Sequence, residues 1–437
     1  MANQMNNNKI NANPTKEFFI EMLTRDIALD RAILDLIDNS VDSSRSMNKP
    51  KSWIKLTMDK NKFEIYDNCG GMDRHVAQNY AFRFGRPSDS PETPNSVGQF
   101  GVGMKRTLFK LGCQFVVESR KNDDCFRVKI DVNEWKSKEE RNWTFDIEDV
   151  TDSELDNGET KITVTSLYRE ISDFFEQDTF INSLSKEISS AHFKSISKGL
   201  DIYINGVKAS SYDISFVNSN EIKPFSEIFE IDNVTIKIVA GIAERDIKKG
   251  GWYIVCNGRL VDSAEQSSTS GWGTDKIPQY HADYAFFRGV VEFECENSSR
   301  LPWTTTKTGV DRSNPIFTAA LLQMKIAMRP IIAFLRNRVK EDSQEKNSLL
   351  DTTPLNDAIR SAINENKLIT LHKINTTTEF IAPEPSEPLS EPRETSIQYK
   401  VLTEEINIVK ESLGVVSNTD VGRGTFNYYM EYECKNG

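Results

Sequence analysis

Residues 33–42 of the chain read Ile-Leu-Asp-Leu-Ile-Asp-Asn-Ser-Val-Asp, and this stretch decides how the N-terminal part folds. Ile33, Ile37 and Val41 recur at intervals of four, which predicts a helix with one apolar face turned toward a core. Another face of the same helix carries three polar residues, Asp35, Asn39 and Asp42. Acids and an amide stacked in this way can converge on one bound ion or water molecule.

A strand that ends in a glycine-rich turn follows. Residues 62–66, Lys-Phe-Glu-Ile-Tyr, alternate as strands do, and residues 67–72, Asp-Asn-Cys-Gly-Gly-Met, form the turn. The carboxylate of Asp67 leaves the strand where it can accept a hydrogen bond from an exocyclic amine, and the glycines let the backbone approach a ligand. Residues 160–165, Thr-Lys-Ile-Thr-Val-Thr, predict a further strand.

The third segment, residues 98–105, reads Gly-Gln-Phe-Gly-Val-Gly-Met-Lys. Its glycines can turn backbone N–H groups toward an anion just before a helix that begins near Met104, and Lys105 adds a positive charge. The pattern alone also suits a tight loop or a dinucleotide site. No strand-like run precedes it, and the proline- and serine-rich residues before it indicate a lid. We therefore expect residues 74–97 to be mobile without nucleotide and ordered with it.

Composition limits the class of protein. The chain has 437 residues, 38% hydrophobic and 27% charged, with a net charge of −11, which argues against a chain that coats itself in nucleic acid but leaves a local basic face open. Six cysteines without a Cys-x-x-Cys pair predict reduced thiols and a cytoplasmic protein. The apolar residues 316–335 are interrupted by Lys325, Arg329 and Pro330, so we expect no membrane span.

The order of predicted elements indicates an α+β protein. Residues 1–14 are expected to be a disordered tail, residues 15–200 a first domain, residues 201–340 a second, residues 341–395 a proline-containing linker and residues 396–437 a small α/β or helical module. The second domain is predicted from four strands and one closing helix: residues 201–206, 234–239, 252–259, 289–293 and 316–340. In the last module, a strand at 397–401 precedes a helix capped by Thr403 and a second helix. These helices fit either simple packing or a helix-turn-helix reader of DNA.

Taken together, the segments at 33–42, 67–72, 98–105 and 158–160 resemble the GHKL ATPases, the superfamily of gyrase, the ninety-kilodalton chaperone, the histidine kinases and MutL. The resemblance covers about residues 15–335 and implies a Bergerat-fold α/β sandwich ATPase domain followed by a ribosomal-protein-like α+β transducer domain. It also implies ATP and Mg²⁺ as ligands. Phe84-Gly85 and the glycine pattern look most like MORC-type and MutL-type members, while residues 98–103 match the chaperone's loop.

The resemblance also implies a role for each matching residue. Asn39 would coordinate magnesium, and Asp35 would activate the attacking water. Most members have Glu at the latter position, so the shorter side chain predicts slow hydrolysis. Asp67 would bind the adenine amino group, with Thr160 in the same pocket. Lys307, in the loop at 300–309, would reach the terminal phosphate. The ATP-binding set is Asn39, Asp42, Asp67, Gly71, Met72, Gly98, Gln99, Phe100, Gly101, Val102, Gly103, Met104, Lys105 and Thr160.

Three functions fit these features. The first is an ATPase that dimerises on ATP, closes a lid and acts as a clamp or switch, by analogy in DNA repair, topology or defence. The second is a non-hydrolysing ATP-gated module that recruits an unknown protein partner through residues 396–437. The third is an ATP-dependent chaperone, which the chain length disfavours. A histidine kinase is also disfavoured, because no His precedes Thr15.

Overall fold

The computed structural model describes residues 14–47, 51–85, 95–97, 102–139, 142–210, 212–304, 307–347, 349–350, 352–386 and 395–434. The chain divides into two compact units, residues 1–386 and 387–437. The architecture is mixed α+β with a large sheet, as the sequence predicts.

The first part of the larger unit combines helices with one large sheet. Its helices are α1 (Lys16–Arg25), α2 (Leu29–Met47), α3 (Arg74–Val76), α4 (Gly103–Leu111), α5 (Val132–Ser137), α6 (Arg169–Phe175), α7 (Asp178–Ala191) and α8 (Phe193–Ser197). Its strands are β1 (Trp53–Met58), β2 (Lys62–Asp67), β3 (Gly112–Lys121), β4 (Asp124–Asp131), β5 (Ile147–Asp149), β6 (Glu159–Leu167), β7 (Asp201–Ile204) and β8 (Val207–Lys208).

In this sheet the described strands run in the order β5-β4-β3-β6-β2-β1-β7-β8. The pairs are antiparallel except for β1 with β7, which are parallel. The prediction that residues 201–206 open a second strand series is therefore wrong. Asp201–Ile204 instead pairs with β1 of the first sheet, a parallel pairing between strands far apart in sequence that local patterns do not reveal.

The predicted apolar stripe of α2 enters the core of this first part. Ile33, Ile37 and Val41 are fully buried, together with Leu108 of α4 and Phe63 of β2. Burying a side chain of this size contributes about 1.5–3 kcal/mol, so α2 is fixed mainly by packing.

A second sheet follows, with a long helix packed against it. The elements are β9 (Ser215–Val217), β10 (Phe225–Ile231), β11 (Val234–Ile242), β12 (Gly251–Cys256), β13 (Arg259–Glu265), β14 (Phe287–Glu294), α9 (Pro315–Lys346), α10 (Pro354–Asn364) and β15 (Leu368–Thr370). The sheet order is β10-β11-β14-β12-β13, and β15 pairs with β9 separately. Helix α9 buries residues such as Phe317, Met324, Met328 and Leu335 in the second core.

Helix α9 extends beyond its predicted end at residue 340. It contains Pro330, as the predicted helix over 316–340 does, and continues to Lys346. Within the described chain, α9 is the one helix long and apolar enough to cross a membrane by length and composition. A buried core helix passes the same test, and many α9 side chains are buried in the second core.

The prediction of a linker at 341–395 is wrong for its first part. Helix α10 packs into the second core through Leu355, Ala358, Ile359 and Ala362, and the larger compact unit extends to residue 386. These four residues fit a helical repeat behind Pro354 at the first helical position, so the signal was present in the sequence.

The smaller unit contains α11 (Thr403–Leu413) and α12 (Asn418–Tyr429). Helix α11 ends at Gly414 with φ +65°, as predicted. Its N-cap is Leu402 without a side-chain cap, so the expectation that Thr403 caps the helix is wrong. The expected strand at 397–401 is not found, because the described residues 395–402 form no strand.

Candidate nucleotide site

The site begins with a single exposed amide on a buried helix. Every residue from 32 to 42 of α2 is buried except Asn39, which is exposed. Within the described part of the chain, the Asn39 side chain makes no hydrogen bond. An amide held outward on a rigid helix is available to a ligand.

Asp67 lies beside this helix, at the end of β2. It continues the buried alternation of Phe63 and Ile65, so its carboxylate points to the same side as those apolar side chains. It accepts hydrogen bonds from the Ser40 hydroxyl (2.8 Å) and the Cys69 backbone N–H (2.9 Å). Burial raises the pKa of Asp67 to about 6 although these bonds oppose the shift.

Thr160 faces the same region from the next strand. It stands directly opposite Asp67 in the β2–β6 register. Its hydroxyl lies 2.8 Å from the Ser119 hydroxyl oxygen, and Ser119 also accepts a hydrogen bond of 2.7 Å from the Met72 N–H. These side chains tie the turn after β2 to the strands beside it.

Gly71 is required in that turn. Its φ is +66°, and a Cβ there would lie 2.2 Å from the carbonyl oxygen of Arg120. Any other residue would force the turn away from β3, so the glycine lets the turn after β2 pack closely against β3.

Helix α4 presents its N-terminus beside α2. Gly103 begins the helix, and a Cβ on it would lie 3.2 Å from the Cβ of Asp35, so the two helices approach closely here. Val102 is the N-cap and supplies no side-chain hydrogen bond. The first-turn N–H groups of such a helix suit a phosphate.

Two of the predicted phosphate-binding residues of α4 point inward. Met104 is buried in the first core. Lys105 is also buried, its Nζ donates to the Ala81 carbonyl (2.8 Å), and burial lowers the pKa of Lys105 to about 7. An anion that reached this amine would favour its charged form.

The predicted set is only partly within the described structure. Gly98, Gln99, Phe100 and Gly101 lie outside the described residues, so their predicted roles stay predictions. Asp42 accepts from the Val97 N–H at 2.8 Å with both carboxylate oxygens. Both described parts of the predicted mobile segment 74–97 contain packed residues: Phe82 and Phe84 against the first core, and Val97 in the second.

Lys307 reaches α2 from the loop that follows the second sheet. Its Nζ lies 2.7 Å from Asp38 Oδ2 and 3.3 Å from Asp35 Oδ1, and its side chain is buried. Burial would lower the pKa of Lys307, but the two carboxylates outweigh it and raise the pKa. Asp35 also pairs through its other oxygen with Arg106 of α4. Both oxygens of Asp35 therefore face cations.

Asp38 is the centre of this buried ionic network. Besides Lys307, it accepts from Arg259 of β13 at 2.9 Å, and His192 Nε2 lies 3.4 Å away without hydrogen-bond geometry. Burial would raise the pKa of Asp38, but Arg259 and Lys307 hold it well below its usual range. Burial lowers the pKa of His192 to about 3, so its imidazole is neutral at pH 7.

Three members of this cluster were not predicted from the sequence: Arg106, Arg259 and His192. Asn257-Gly258 signals the hairpin that carries Arg259, but the partner of Arg259 depends on how the second sheet meets α2. Asp38 is a neighbouring acid of Asp35 on the quoted helix, and the sequence leaves a role for it open.

Comparison with known proteins agrees with this geometry. Residues 27–164 match the family model for histidine kinase-, DNA gyrase B-, and HSP90-like ATPases. The match supports the GHKL superfamily for this segment and suggests ATP binding and ATPase activity. It spans α2, Asp67, Gly71, the glycine segment and Thr160, and ends before Lys307. No curated protein matches the chain.

The residues present suit a magnesium ion shared with a nucleotide. No group of three or more His, Cys, Asp or Glu within the described residues is arranged to hold a metal. Mg²⁺ commonly keeps one or two protein ligands and takes the rest from phosphates and water. Asn39, the exposed amide on α2, fits that role.

Proposed function

We propose that the protein binds Mg–ATP on the face formed by α2, the paired strand ends at Asp67 of β2 and Thr160 of β6, and the N-terminus of α4, and hydrolyses it slowly. The observation that carries this proposal is the juxtaposition of exposed Asn39 with buried Asp67 and with the N-terminus of α4, whose N-cap residue Val102 makes no side-chain hydrogen bond. The family match over these elements supports it.

In this proposal Asp67 accepts from the adenine amino group, with Thr160 lining the opposite strand. Asn39 would hold magnesium, which supplies charge neutralisation at the phosphates. The α4 N–H groups and Lys105 would stabilise negative charge on the transferred phosphoryl group. Asp35 would take the proton from the attacking water.

Lys307 is the residue that would act as the switch. Its ammonium group pairs with Asp35 and Asp38. A terminal phosphate near α2 would compete for its ammonium group, and transfer of Lys307 from Asp35 to that phosphate would free one oxygen of Asp35 for water. The second sheet, which continues into the Lys307 loop, would then sense the terminal phosphate.

By family analogy, we further propose that ATP binding closes a lid and dimerises the chain, and that this clamp or switch acts in the cytoplasm in a DNA-related process. A protein partner at residues 396–437 is part of the same proposal.

One specific observation favours the second candidate, a non-hydrolysing ATP-gated module. Asp35 is paired on both oxygens, with Arg106 and Lys307, so neither oxygen is available to an attacking water. If the pairs persist when nucleotide binds, ATP would be bound without turnover.

Asn39→Ala provides the test, with Asn182→Ala as the matched control because Asn182 is an exposed amide on helix α7. Turnover should fall on the order of 100-fold in Asn39→Ala and stay unchanged in the control. Removing magnesium with EDTA should abolish wild-type turnover. Binding of ATP without any single-turnover hydrolysis would select the non-hydrolysing module, and client protection that ignores DNA would select a chaperone.

A further inference from the structure

Residues 95–97 lie between α2 and the second sheet. Val97 is fully buried in the second core, and its N–H donates to Asp42 of α2. The Asn95 N–H donates to the Glu296 carbonyl (3.1 Å), just beyond β14. The segment therefore contacts both halves of the larger unit.

Asn257 holds the middle of this segment. Its Nδ2 donates to the Ser96 carbonyl (3.3 Å) and to the Cys295 carbonyl (3.0 Å), while its Oδ1 accepts from the Cys295 N–H (2.9 Å). The Asn257 carbonyl accepts from Arg45 of α2 (2.6 Å). The buried side-chain amide of Asn257 thus links residues 95–97 to the strand end after β14, and its backbone carbonyl joins the same turn to helix α2.

Residues 95–97 connect directly to the glycine segment that precedes α4. Val97 is followed directly by Gly98, the first glycine of the segment that leads into α4. A shift of residues 95–97 would move the start of the chain that leads to the α4 N-terminus, and phosphate binding is sensitive to small displacements of its N–H donors.

We propose that Asn257 is a positioning residue that fixes residues 95–97 against the second sheet and thereby sets the affinity for the phosphates of the nucleotide. This inference rests on the proposed nucleotide function and extends it to a residue in the hairpin turn between β12 and β13. It makes phosphate binding depend on the second sheet through a link separate from Lys307.

The chain contains a matched control in Asn205. It occupies another Asn-Gly turn with the same left-handed backbone at Asn, φ +47° against +45° for Asn257. Its amide makes the same pair of bonds to one residue, accepting from the Met58 N–H (2.8 Å) and donating to the Met58 carbonyl (3.1 Å). It differs in that its partner is β1 alone, with no bond to residues 95–97.

The test compares Asn257→Ala with Asn205→Ala in the full chain. For Asn257→Ala we expect the affinity for Mg–ADP to fall about three- to tenfold, as loss of one buried hydrogen bond predicts, while the affinity for adenosine stays unchanged. Amide exchange at Val97 should also accelerate in that variant. Asn205→Ala should change neither the ratio of ADP to adenosine affinity nor the Val97 exchange.

The outcomes separate the two proposals. If the wild type binds no nucleotide, the proposed function fails, while Val97 exchange still tests the positioning role. If nucleotides bind and the two alanine variants behave alike in both measurements, the inference is overturned. Should Asn257→Ala fail to fold, Val97→Ala replaces it, with the same expected loss of ADP affinity; an unchanged ADP-to-adenosine ratio would overturn the inference.

Discussion

Asp67 lies at a position of β2 where the alternation of the strand would place an apolar side chain. Phe63 and Ile65 occupy the same face, and this burial raises the pKa of Asp67 to about 6. Because the pKa lies above its unfolded value of 3.8, the contribution of Asp67 to stability is present below that value and is lost as the pH rises through about 6. A buried charge at pH 7 suggests a ligand that donates to it.

This shift predicts a pH dependence of adenosine binding. The adenine amine would donate to the ionised carboxylate, so affinity should fall as the pH drops through about 6. The loss should be about five- to tenfold, the difference between a charge-assisted and a neutral hydrogen bond. Calorimetric titrations from pH 5 to 7.5 measure it, and Asp67→Asn should flatten the profile. A wild-type affinity independent of pH would contradict the role of Asp67.

Asp35 allows a second prediction at the residue scale. If Asp35 is the base once Lys307 leaves it, Asp35→Asn should slow single-turnover hydrolysis about 100-fold or more and change Mg–ADP affinity little. Asp30→Asn, in the first turn of the same helix, is the control and should keep full turnover. Equal hydrolysis rates for wild type and Asp35→Asn would remove Asp35 from the mechanism.

At the scale of elements, α2 and the loop carrying Lys307 are joined through buried charges. Asp38 meets Lys307 at 2.7 Å and Arg259 at 2.9 Å, and all three side chains are buried. Such a pair adds specificity rather than large net stability, but removing one partner leaves the other buried and unpaired.

Lys307→Met should therefore lower the free energy of unfolding by about 3–4 kcal/mol, the lower part of the range for a broken buried pair, because Arg259 still neutralises Asp38. In a double-mutant cycle, Asp38→Asn and Lys307→Met should show a coupling energy of about 1–3 kcal/mol. Urea unfolding measures both values. Lys208→Met, which breaks the exposed pair with Asp201, should have little effect, and strictly additive Asp38 and Lys307 changes would refute the link.

The elements also show what the sequence could predict. Helix α2 and the facing strand ends at Asp67 and Thr160 follow from local periodicity, because 3.6-residue and 2-residue repeats each fix one buried face. The pairing of β7 with β1 could not be predicted, since no short-range pattern specifies a parallel neighbour. Helix α10 could have been predicted from Pro354 at its first position and from the apolar repeat that follows. The polar composition around it suggested a linker instead.

At the scale of the whole molecule, the site draws on residues far apart in sequence. From resemblance alone, Lys307 was predicted to reach the terminal phosphate, and that role stays a prediction. The structure places its Nζ 3.3 Å from Asp35 of α2, a pairing that was not predicted. The sequence could not predict that Arg259 and Asn257 approach α2 from the same hairpin, because that contact exists only after the second sheet packs. The arrangement couples both sheets to one helix.

The proposed switch predicts a change in assembly. With a non-hydrolysable ATP analogue and magnesium, the molecular mass of the full chain should double in light scattering, and Asn39→Ala should remain at its starting mass. ADP should not produce the doubling, because Lys307 would have no terminal phosphate to bind. An unchanged wild-type mass at saturating analogue would rule out the ATP-dependent dimer.

Calorimetric titration of the full chain with ADP in the presence of magnesium tests the central claim most directly, because it depends only on the face that carries Asn39 and Asp67. The account predicts saturable binding of one nucleotide per chain, weakened by both Asn39→Ala and Asp67→Asn but not by Asn182→Ala. Absence of heat with the wild-type protein would contradict it, provided that two controls hold. Circular dichroism must show that the protein is folded, and a second binding method must show that ADP stays unbound.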